Sequence, residues 1–383
     1  MVDKRSRPKK PEQRSLFEAL QKRTQPVSDL GAAKLTDDRK DVEPAPAAGA
    51  AKRPDDAGEI GPAVVSKEQL ELSVRIPRQV RIGTSSWSFP GWERIVYDQM
   101  ASEKVLARHG LKAYAKHPLL TTVGIDRTYY APISAAQFAE YAAAVGADFR
   151  FLVKAHEFCT TSRFPDQPRY GKRRGQENPY FLDARYAAET VVAPCVEGLK
   201  EKLGPLVFQF MPQDLKAVGG ASKLVERLHT FLKALPAEVL YSVEIRNREV
   251  LCEPYREALA DARASHCFTV HPRMPSVAAQ GRLIYPDAEA LRGCRGLVVR
   301  WMLGGNLEYE TAREMYEPFD QLVAEDKKSR EDIADLCARA CEVAVPAFVV
   351  INNKAEGSAP LSVFRLAAEV AARLKNVQGP AAR

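Results

Sequence analysis

An acidic and a basic residue stand two positions apart in the segment Val243-Glu244-Ile245-Arg246. Successive side chains of a β-strand point to opposite faces, so Glu244 and Arg246 should lie on the same face. Glu244 could act there as a general acid or base, while the guanidinium of Arg246 holds an anionic group through two parallel hydrogen bonds. An internal ion pair is the alternative interpretation of the same spacing.

A lysine ends another apolar segment, Phe151-Leu152-Val153-Lys154. Lys154 could be a Schiff-base nucleophile if burial depresses its pKa, because only the neutral amine attacks a carbonyl group. Pairing of the ammonium group with a carboxylate is the simpler interpretation, and we favour it.

A metal site would need three or four converging His, Asp, Glu or Cys ligands. The only plausible set in this sequence consists of Asp126, His156, Glu244 and His271. The cationic residues between these positions argue against a divalent ion. We therefore predict no cofactor and assign no metal ligand, and the sequence alone leaves the need for a metal open.

The segments that carry these residues belong to a regular alternation of short β-rich runs and longer amphipathic segments. The helical patterns include residues 134–145, 186–203, 221–235, 330–343 and 358–374. Eight βα units over this length predict a closed, parallel eight-stranded β/α barrel, with a doubly wound open sheet as the alternative. The absence of G-x-G-x-x-G after the first run disfavours a dinucleotide-binding open sheet. The predicted strands are residues 80–84, 121–126, 149–154, 206–210, 239–246, 266–271, 296–301 and 347–352.

One side-chain parity of these runs is apolar and should face the helices, and the other carries polar groups. Charges inside a barrel are costly unless they are paired, so these groups must serve one another or a ligand. Active sites of β/α barrels lie at the C-terminal ends of the strands, where most of these groups fall. Three cations, Lys154, Arg246 and Arg300, should converge there and attract an anion. The polar residues are Asp126, Lys154, Gln209, Glu244, Arg246, His271, Arg300 and Asn352.

Residues 1–75 differ from the rest of the chain in being rich in Lys, Arg, Pro, Ala and Asp. Such a composition offers little apolar surface to bury, so we predict a disordered arm, followed by a barrel domain over residues 76–383. The basic cluster at residues 4–14 could contact nucleic acid, although a solvated tail is the simpler interpretation.

The overall composition limits the partners and the location. The net charge of +7 is modest for 383 residues, and acidic and basic residues are mixed outside the first positions, so nucleic acid is only weakly supported as a partner. Neither a secretory signal nor a membrane-spanning apolar run is found. Seven scattered cysteines without a C-x-x-C pair are typical of a reducing compartment. We therefore expect a cytoplasmic protein without a membrane partner.

Several segments in order resemble the YecE-like family, catalogued as domain of unknown function 72, which comprises eight-stranded β/α barrels without an established activity. The chain departs from the family pattern at Gly124, Asp126, Asn247 and Met302. The resemblance implies a common pocket formed by Thr84, Trp87, Lys154, Gln209, Glu244, Arg246, Arg300 and Asn352. The matching segments are GTSSWS at 83–88 with Gly91-Trp92, Thr128-Tyr129-Tyr130, FLVKA at 151–155, LGPLVFQF at 203–210, Val243-Glu244-Ile245-Arg246, Val299-Arg300-Trp301 and Ile351-Asn352-Asn353.

Three functions fit this sequence. The leading hypothesis is an enzyme acting on a small anionic substrate, with Glu244 transferring a proton and Lys154, Arg246 and Arg300 holding a phosphate or carboxylate. The second is a nucleic-acid-associated protein whose aromatic residues, Tyr129 among them, stack on bases. The third is a sensor that binds a ligand without turnover. Trp87 and Tyr129 follow the first two strands, where they could stack on a ligand or pack as part of a lid.

Overall fold

The computed structural model of the protein describes residues 59–304 and 308–377. Within these residues, eight parallel strands form a closed barrel in the order β1-β2-β3-β4-β5-β6-β7-β8, and β1 pairs with β8. The barrel prediction is confirmed, and the open sheet is excluded because β1 and β8 have no free edge. The strands are β1 Val80–Thr84, β2 Thr122–Ile125, β3 Arg150–Lys154, β4 Leu203–Phe210, β5 Tyr241–Ile245, β6 Ser265–Val270, β7 Leu297–Trp301 and β8 Ala347–Ile351.

Helices follow the strands and cover the outside of the barrel. Shorter turns of helix connect them, mostly at the C-terminal ends of strands: Pro90–Trp92, Arg127–Tyr129, Glu157–Cys159, Pro168–Arg173, Lys200–Lys202, Arg248–Val250 and Asn353–Ala355. No helix in the described ranges is long and apolar enough to cross a membrane. The α-helices are Lys67–Arg75, Glu103–Val105, Leu111–Tyr114, Ala135–Ala143, Ala184–Ala187, Ala193–Leu199, Ala221–Lys233, Glu253–Asp261, Val277–Ile284, Ala288–Arg292, Tyr309–Tyr316, Lys327–Glu342 and Ala359–Val377.

The helix predicted over residues 186–203 is interrupted. A five-residue π-helical turn, Ala188–Val192, separates Ala184–Ala187 from Ala193–Leu199. Pro194 explains the break, because it lacks the N–H that a regular helix would donate to the carbonyl four residues earlier. The helix ends at Lys200, whose φ of 51° cannot continue a right-handed helix.

The barrel has two separate apolar regions, of which the strand parity predicts the one that faces the helices. One parity packs against the helices, with Phe151, Phe208 and Val299 as examples. The other parity fills the barrel interior with a small cluster of Leu152, Val207, Cys267, Val298 and Val350. Two residues further along each of these strands stand Lys154, Gln209, Thr269, Arg300 and Asn352. The interior therefore changes from apolar to polar toward the C-terminal ends of the strands.

The boundary predicted for the N-terminal arm needs correction. Residues 1–58 lie outside the described residues, but residues 59–75 are structured and include the helix Lys67–Arg75. A capping box starts this helix, with Ser66 Oγ accepting from the Gln69 amide at 3.2 Å and Gln69 Oε1 accepting from the Ser66 amide at 2.9 Å. Leu72 is buried on the barrel domain. Ile60 and Ala63 are buried as well, and the Ala63 amide donates to the Val96 carbonyl at 2.9 Å. The cap, these buried side chains and this backbone contact order a segment whose composition is mostly polar.

Candidate functional site at the barrel mouth

The C-terminal ends of the strands open into a cavity of about 1330 Å³, larger than the roughly 300–1,000 Å³ of a typical small-molecule site. Its lining comes from residues at or after the C-terminal ends of β2 to β8. The structure brings many of the predicted site residues together on its lining. These are Asp126, Tyr129, Lys154, Gln209, Arg246, His271 and Asn352.

Arg300 is the centre of a charged network below the cavity floor. Its side chain is completely buried, and its Nη2 donates to both oxygens of Asp126 at 3.0 Å. Its Nη1 donates to Gln209 Oε1 at 2.8 Å and to Glu244 Oε2. Burial alone would lower the pKa of Arg300, but the carboxylates of Asp126 and Glu244 outweigh burial and raise it. Arg300 is therefore a permanent cation that joins β2, β4 and β5.

Glu244 is held on both sides by guanidinium groups. Its Oε1 accepts from Arg246 Nε at 3.0 Å and from Arg246 Nη2 at 2.8 Å, while its Oε2 accepts from Arg300. Burial would raise the pKa of Glu244, but Arg300, Arg246 and Lys154 together lower it to about 2. A carboxylate that is ionised near neutral pH, fully buried and bonded through both oxygens is poorly suited to proton transfer. The ion-pair interpretation describes Glu244 better than the acid–base role suggested by its sequence spacing.

Carboxylates thus compensate most of the positive charge of Lys154, Arg246 and Arg300. Arg300 faces two carboxylates, and Arg246 shares Glu244 with it, so these two guanidinium groups do not simply repel each other. Arg246 still offers one group to the cavity, because its Nη1 contacts only Met211 Sδ, at 3.5 Å, among the described residues.

Lys154 differs from both arginines. It is the last residue of β3 and its side chain is buried, with Nζ 4.0 Å from the centre of the Tyr129 ring. No carboxylate in the described part of the chain lies within 4.0 Å of this ammonium group, so the ion pairing favoured from sequence is wrong for Lys154. Burial lowers the pKa of Lys154 to about 8, and Asp126 opposes this shift while Arg300 adds to it.

Four residues of the expected pocket do not line the cavity: Glu244 and Arg300 belong to the network beneath its floor, and Thr84 and Trp87 lie elsewhere. Thr84 is buried on β1, where its Oγ1 donates to the Ser86 carbonyl at 2.6 Å. Trp87 belongs to the hydrophobic core, with Nε1 donating to the Ala107 carbonyl at 3.3 Å and its ring meeting Tyr141 edge-on. Neither residue lines the cavity. The loop after β1 turns the side chain of Trp87 into the protein, and strand position alone does not reveal that turn.

Two further predicted residues, Asn352 and His271, line the cavity and form hydrogen bonds with neighbouring residues. Asn352 donates from Nδ2 to Ser85 Oγ at 2.9 Å and accepts from the Lys354 amide at 3.0 Å. His271 Nδ1 accepts from the Arg273 amide at 3.2 Å. Burial and, next, Arg246 lower the pKa of His271 to about 4, so this imidazole is neutral near pH 7.

One cavity wall was not predicted from the sequence. Glu157, three residues after β3, accepts from Tyr170 Oη at 2.8 Å and from Arg169 Nη2 at 2.9 Å. Burial raises the pKa of Glu157 despite these contacts. Arg169 also lies over the Tyr130 ring. The length of the segment after β3 was the available signal; Lys172-Arg173-Arg174 within it is exposed and does not line the cavity.

The candidate metal ligands do not come together. Among residues 59–304 and 308–377 no group of three or more His, Cys, Asp or Glu side chains could hold a metal ion. His156 instead bonds through Nδ1 to Tyr186 Oη at 2.7 Å, and Glu244 is occupied by arginines.

The closed sheet and its charged mouth place this chain among the eight-stranded β/α barrel proteins with a cavity at the C-terminal face. The model of one family, described as Protein of unknown function DUF72, matches residues 81–383, and the chain belongs to this family.

Solved structures of the same family are similar to this chain. A DUF72 family protein from Enterococcus faecalis V583 is 17% identical, with a TM-score of 0.45 over 79% of this chain and 97% of that one. A DUF72 family protein from Thermotoga maritima MSB8 is 20% identical, with a TM-score of 0.49 over 75% of this chain and 97% of that one. No curated protein matches this chain.

Proposed function

We propose that this protein is an enzyme that acts on a small anionic substrate, bearing a phosphate or a carboxylate, in the cavity at the barrel mouth. One observation carries the proposal. The ammonium group of Lys154 lies at the cavity floor without a carboxylate partner among the described residues, although burial makes an unpaired charge costly.

The charges of the floor support an anion. Within the group at the strand ends, Lys154, Arg246 and Arg300 face two carboxylates, Asp126 and Glu244, which leaves one cation in excess in this group. The neighbouring wall adds an ion pair of Glu157 with Arg169. Lys154 Nζ and Arg246 Nη1 are cationic donors on the cavity lining that do not contact a carboxylate among the described residues. A bound phosphate or carboxylate would compensate the excess charge and form charge-assisted hydrogen bonds.

Two features support catalysis rather than binding alone: the position of the site at the barrel mouth and the lowered pKa of Lys154. The C-terminal mouth is where barrel enzymes carry their active sites, and a lysine with a depressed pKa is typical of acid–base or nucleophilic chemistry. Asp126 remains available at the cavity, since its side chain is 27% exposed although it contacts Arg300. We propose a cytoplasmic location from the scattered cysteines of the sequence.

A thermal-shift series with phosphate, sulfate and small carboxylates at constant ionic strength tests the anion site. Binding stabilises the folded state by mass action, about 2.7 kcal/mol at a hundredfold excess over the dissociation constant. The stabilisation should be lost in Lys154→Met and reduced in Arg246→Met. Lys172→Met, which removes an exposed cation outside the cavity, is the matched control. Stabilisation that persists in Lys154→Met, or a wild type that responds to none of these anions, would contradict the proposal.

A further inference from the structure

The amine of Lys154 is held in a fixed position at the cavity, as a nucleophile would need to be. β3 fixes its backbone, and its carbonyl accepts from Thr128 Oγ1 at 2.6 Å, which ties the strand end to the turn that carries Tyr129. The side chain is 7% exposed and lines the cavity. The Tyr129 ring provides an apolar and weakly cation-attracting surface, which holds the amine in place without engaging its lone pair.

The surroundings of Lys154 also favour a neutral amine. Burial lowers its pKa to about 8, and the positive charges of Arg300 and Arg246 act in the same direction against Asp126 and Glu244. Near pH 8 about half of the molecules would therefore carry the free amine, the form that attacks carbonyl carbons.

A second buried lysine, Lys354, differs from Lys154 in its access to the cavity. Lys354 is 6% exposed, and burial lowers its pKa as well. Its Nζ lies over the rings of Tyr309 and Phe319, at 4.0 and 5.7 Å from their centres, and Lys354 does not line the cavity. Lys154 combines burial with access to the cavity, whereas Lys354 is buried without it.

We propose that Lys154 forms a covalent imine with a carbonyl carbon of the substrate, so that the substrate class is a small aldehyde or ketone that also bears a carboxylate or a phosphate. This inference rests on the proposed function, because the anionic group would be held by Arg246 Nη1 while the carbonyl carbon reaches Lys154 Nζ.

The chemistry balances without an oxidant or a reductant. The amine lone pair forms a C–N bond to the carbonyl carbon, and a proton moves from nitrogen to oxygen to give a carbinolamine. The hydroxyl group takes up a second proton and leaves as water, which yields the iminium ion. Asp126, a part-exposed cavity carboxylate, would relay these protons through water, since both of its oxygens already accept from Arg300. Hydrolysis by water returns the free amine.

Reductive trapping tests this inference. The full chain is incubated near pH 8 with pyruvate or with dihydroxyacetone phosphate in the presence of sodium cyanoborohydride, which reduces an imine to a stable secondary amine. Peptide mass spectrometry should find Lys154 as the dominant modified residue. Acetone, a ketone without an anionic group, should give far less adduct at this position.

Lys154→Arg is the decisive variant, because it keeps a cation and removes the nucleophile. The adduct at position 154 should vanish, while thermal stabilisation by phosphate should persist in part. Lys354→Arg should leave the trapping at Lys154 unchanged. Modification spread over the exposed lysines, or no adduct with either probe, would overturn the imine. If phosphate still stabilises the wild type in that case, the anion site stands without it; if phosphate has no effect either, both proposals fail.

Discussion

The two sides of the barrel mouth differ in whether a buried charge has a partner of opposite charge. On the side of β5 and β7, Glu244 and Arg300 are both fully buried, and Arg300 Nη1 donates to Glu244 Oε2. On the side of β3, Lys154 is almost as buried but faces an aromatic ring rather than a carboxylate. At similar depth the barrel thus holds an ion-paired network, in which Arg300 Nε still lacks a hydrogen-bond partner among the described residues, and a cation without a carboxylate partner.

The pKa shifts express this difference. Three cations lower the pKa of Glu244, which stabilises the ionised form that the folded protein contains. Burial lowers the pKa of Lys154, which destabilises its charged form. Removing one partner of a buried ion pair leaves an uncompensated charge and destabilises the fold, whereas an unpaired charge at a cavity is stabilised by an oppositely charged ligand. One part of the mouth therefore has paired charges, and the other has a cation without a carboxylate partner among the described residues.

Removing Arg300 should have the largest effect on stability. Arg300→Met leaves Asp126 without its cation and Glu244 with only Arg246, and breaking a buried pair in this way costs about 3–5 kcal/mol. Urea unfolding at pH 7 measures the change. Arg292→Met, at an exposed position, should stay within about 0.5 kcal/mol of the wild type. A loss below about 1 kcal/mol in Arg300→Met would mean that the network is not structural.

The stabilising role of Glu244 should be lost in acid. Its pKa falls from an ordinary 4.5 to about 2 on folding, so the unfolded chain binds the proton more readily between these values. The resulting stability is present above pH 4.5, disappears as the pH falls toward 2, and amounts to roughly 3 kcal/mol.

The difference in unfolding free energy between wild type and Glu244→Gln should therefore shrink as the pH is lowered from 5. The pair of wild type and Glu257→Gln, which changes an exposed carboxylate, should show no such trend. A constant difference for Glu244→Gln across this range would show that the charge of Glu244 is not the source of its contribution.

The charge of Lys154 should contribute to stability with the opposite sign: it destabilises the folded protein near neutral pH, and this penalty disappears in alkali. Its pKa is about 8 in the folded protein against an ordinary 10.5, so the unfolded chain binds more protons between these values and stability rises with pH. Lys154→Met should accordingly be more stable than the wild type at pH 7, by up to about 3 kcal/mol, and should lose this advantage by pH 10.5.

Subtracting the variant's unfolding free energy from that of the wild type cancels the other groups that face this amine, namely Asp126, Tyr129, Glu157, Glu244, Arg246 and Arg300. If Lys154→Met is instead less stable than the wild type at every pH, then Lys154 has a structural partner and the two sides of the mouth are alike.

The smallest effect should come from the ring beneath Lys154. Tyr129→Leu removes a cation–π contact of about 0.5–2 kcal/mol and should lower the pKa of Lys154 further, whereas Tyr129→Phe keeps the ring and should leave this pKa unchanged. The pH dependence of reductive methylation at Lys154 reports the value directly. Equal curves for both variants would show that the ring only fills space.

Strand parity was readable from the sequence because it is a local property. Alternation along each strand correctly separated the side chains that face the helices from those inside the barrel, including Phe208 outside and Gln209 at the cavity. Thr84 and Trp87 were placed less well, since the turn after β1 sends Trp87 into the core. The helix Lys67–Arg75 was missed because composition outweighed the capping box at Ser66.

By itself, the sequence determined the eight-unit barrel and the concentration of polar side chains at one end of it, since both follow from periodicity along the chain. Only the tertiary structure decided which charges are paired. Arg300 meets Asp126 across 174 residues of chain and Glu244 across 56, whereas Lys154 meets Tyr129 instead of a carboxylate. Pairing depends on distances of a few ångströms between distant strands, because Coulomb energy and hydrogen bonding change steeply over that range, and no local pattern encodes such distances.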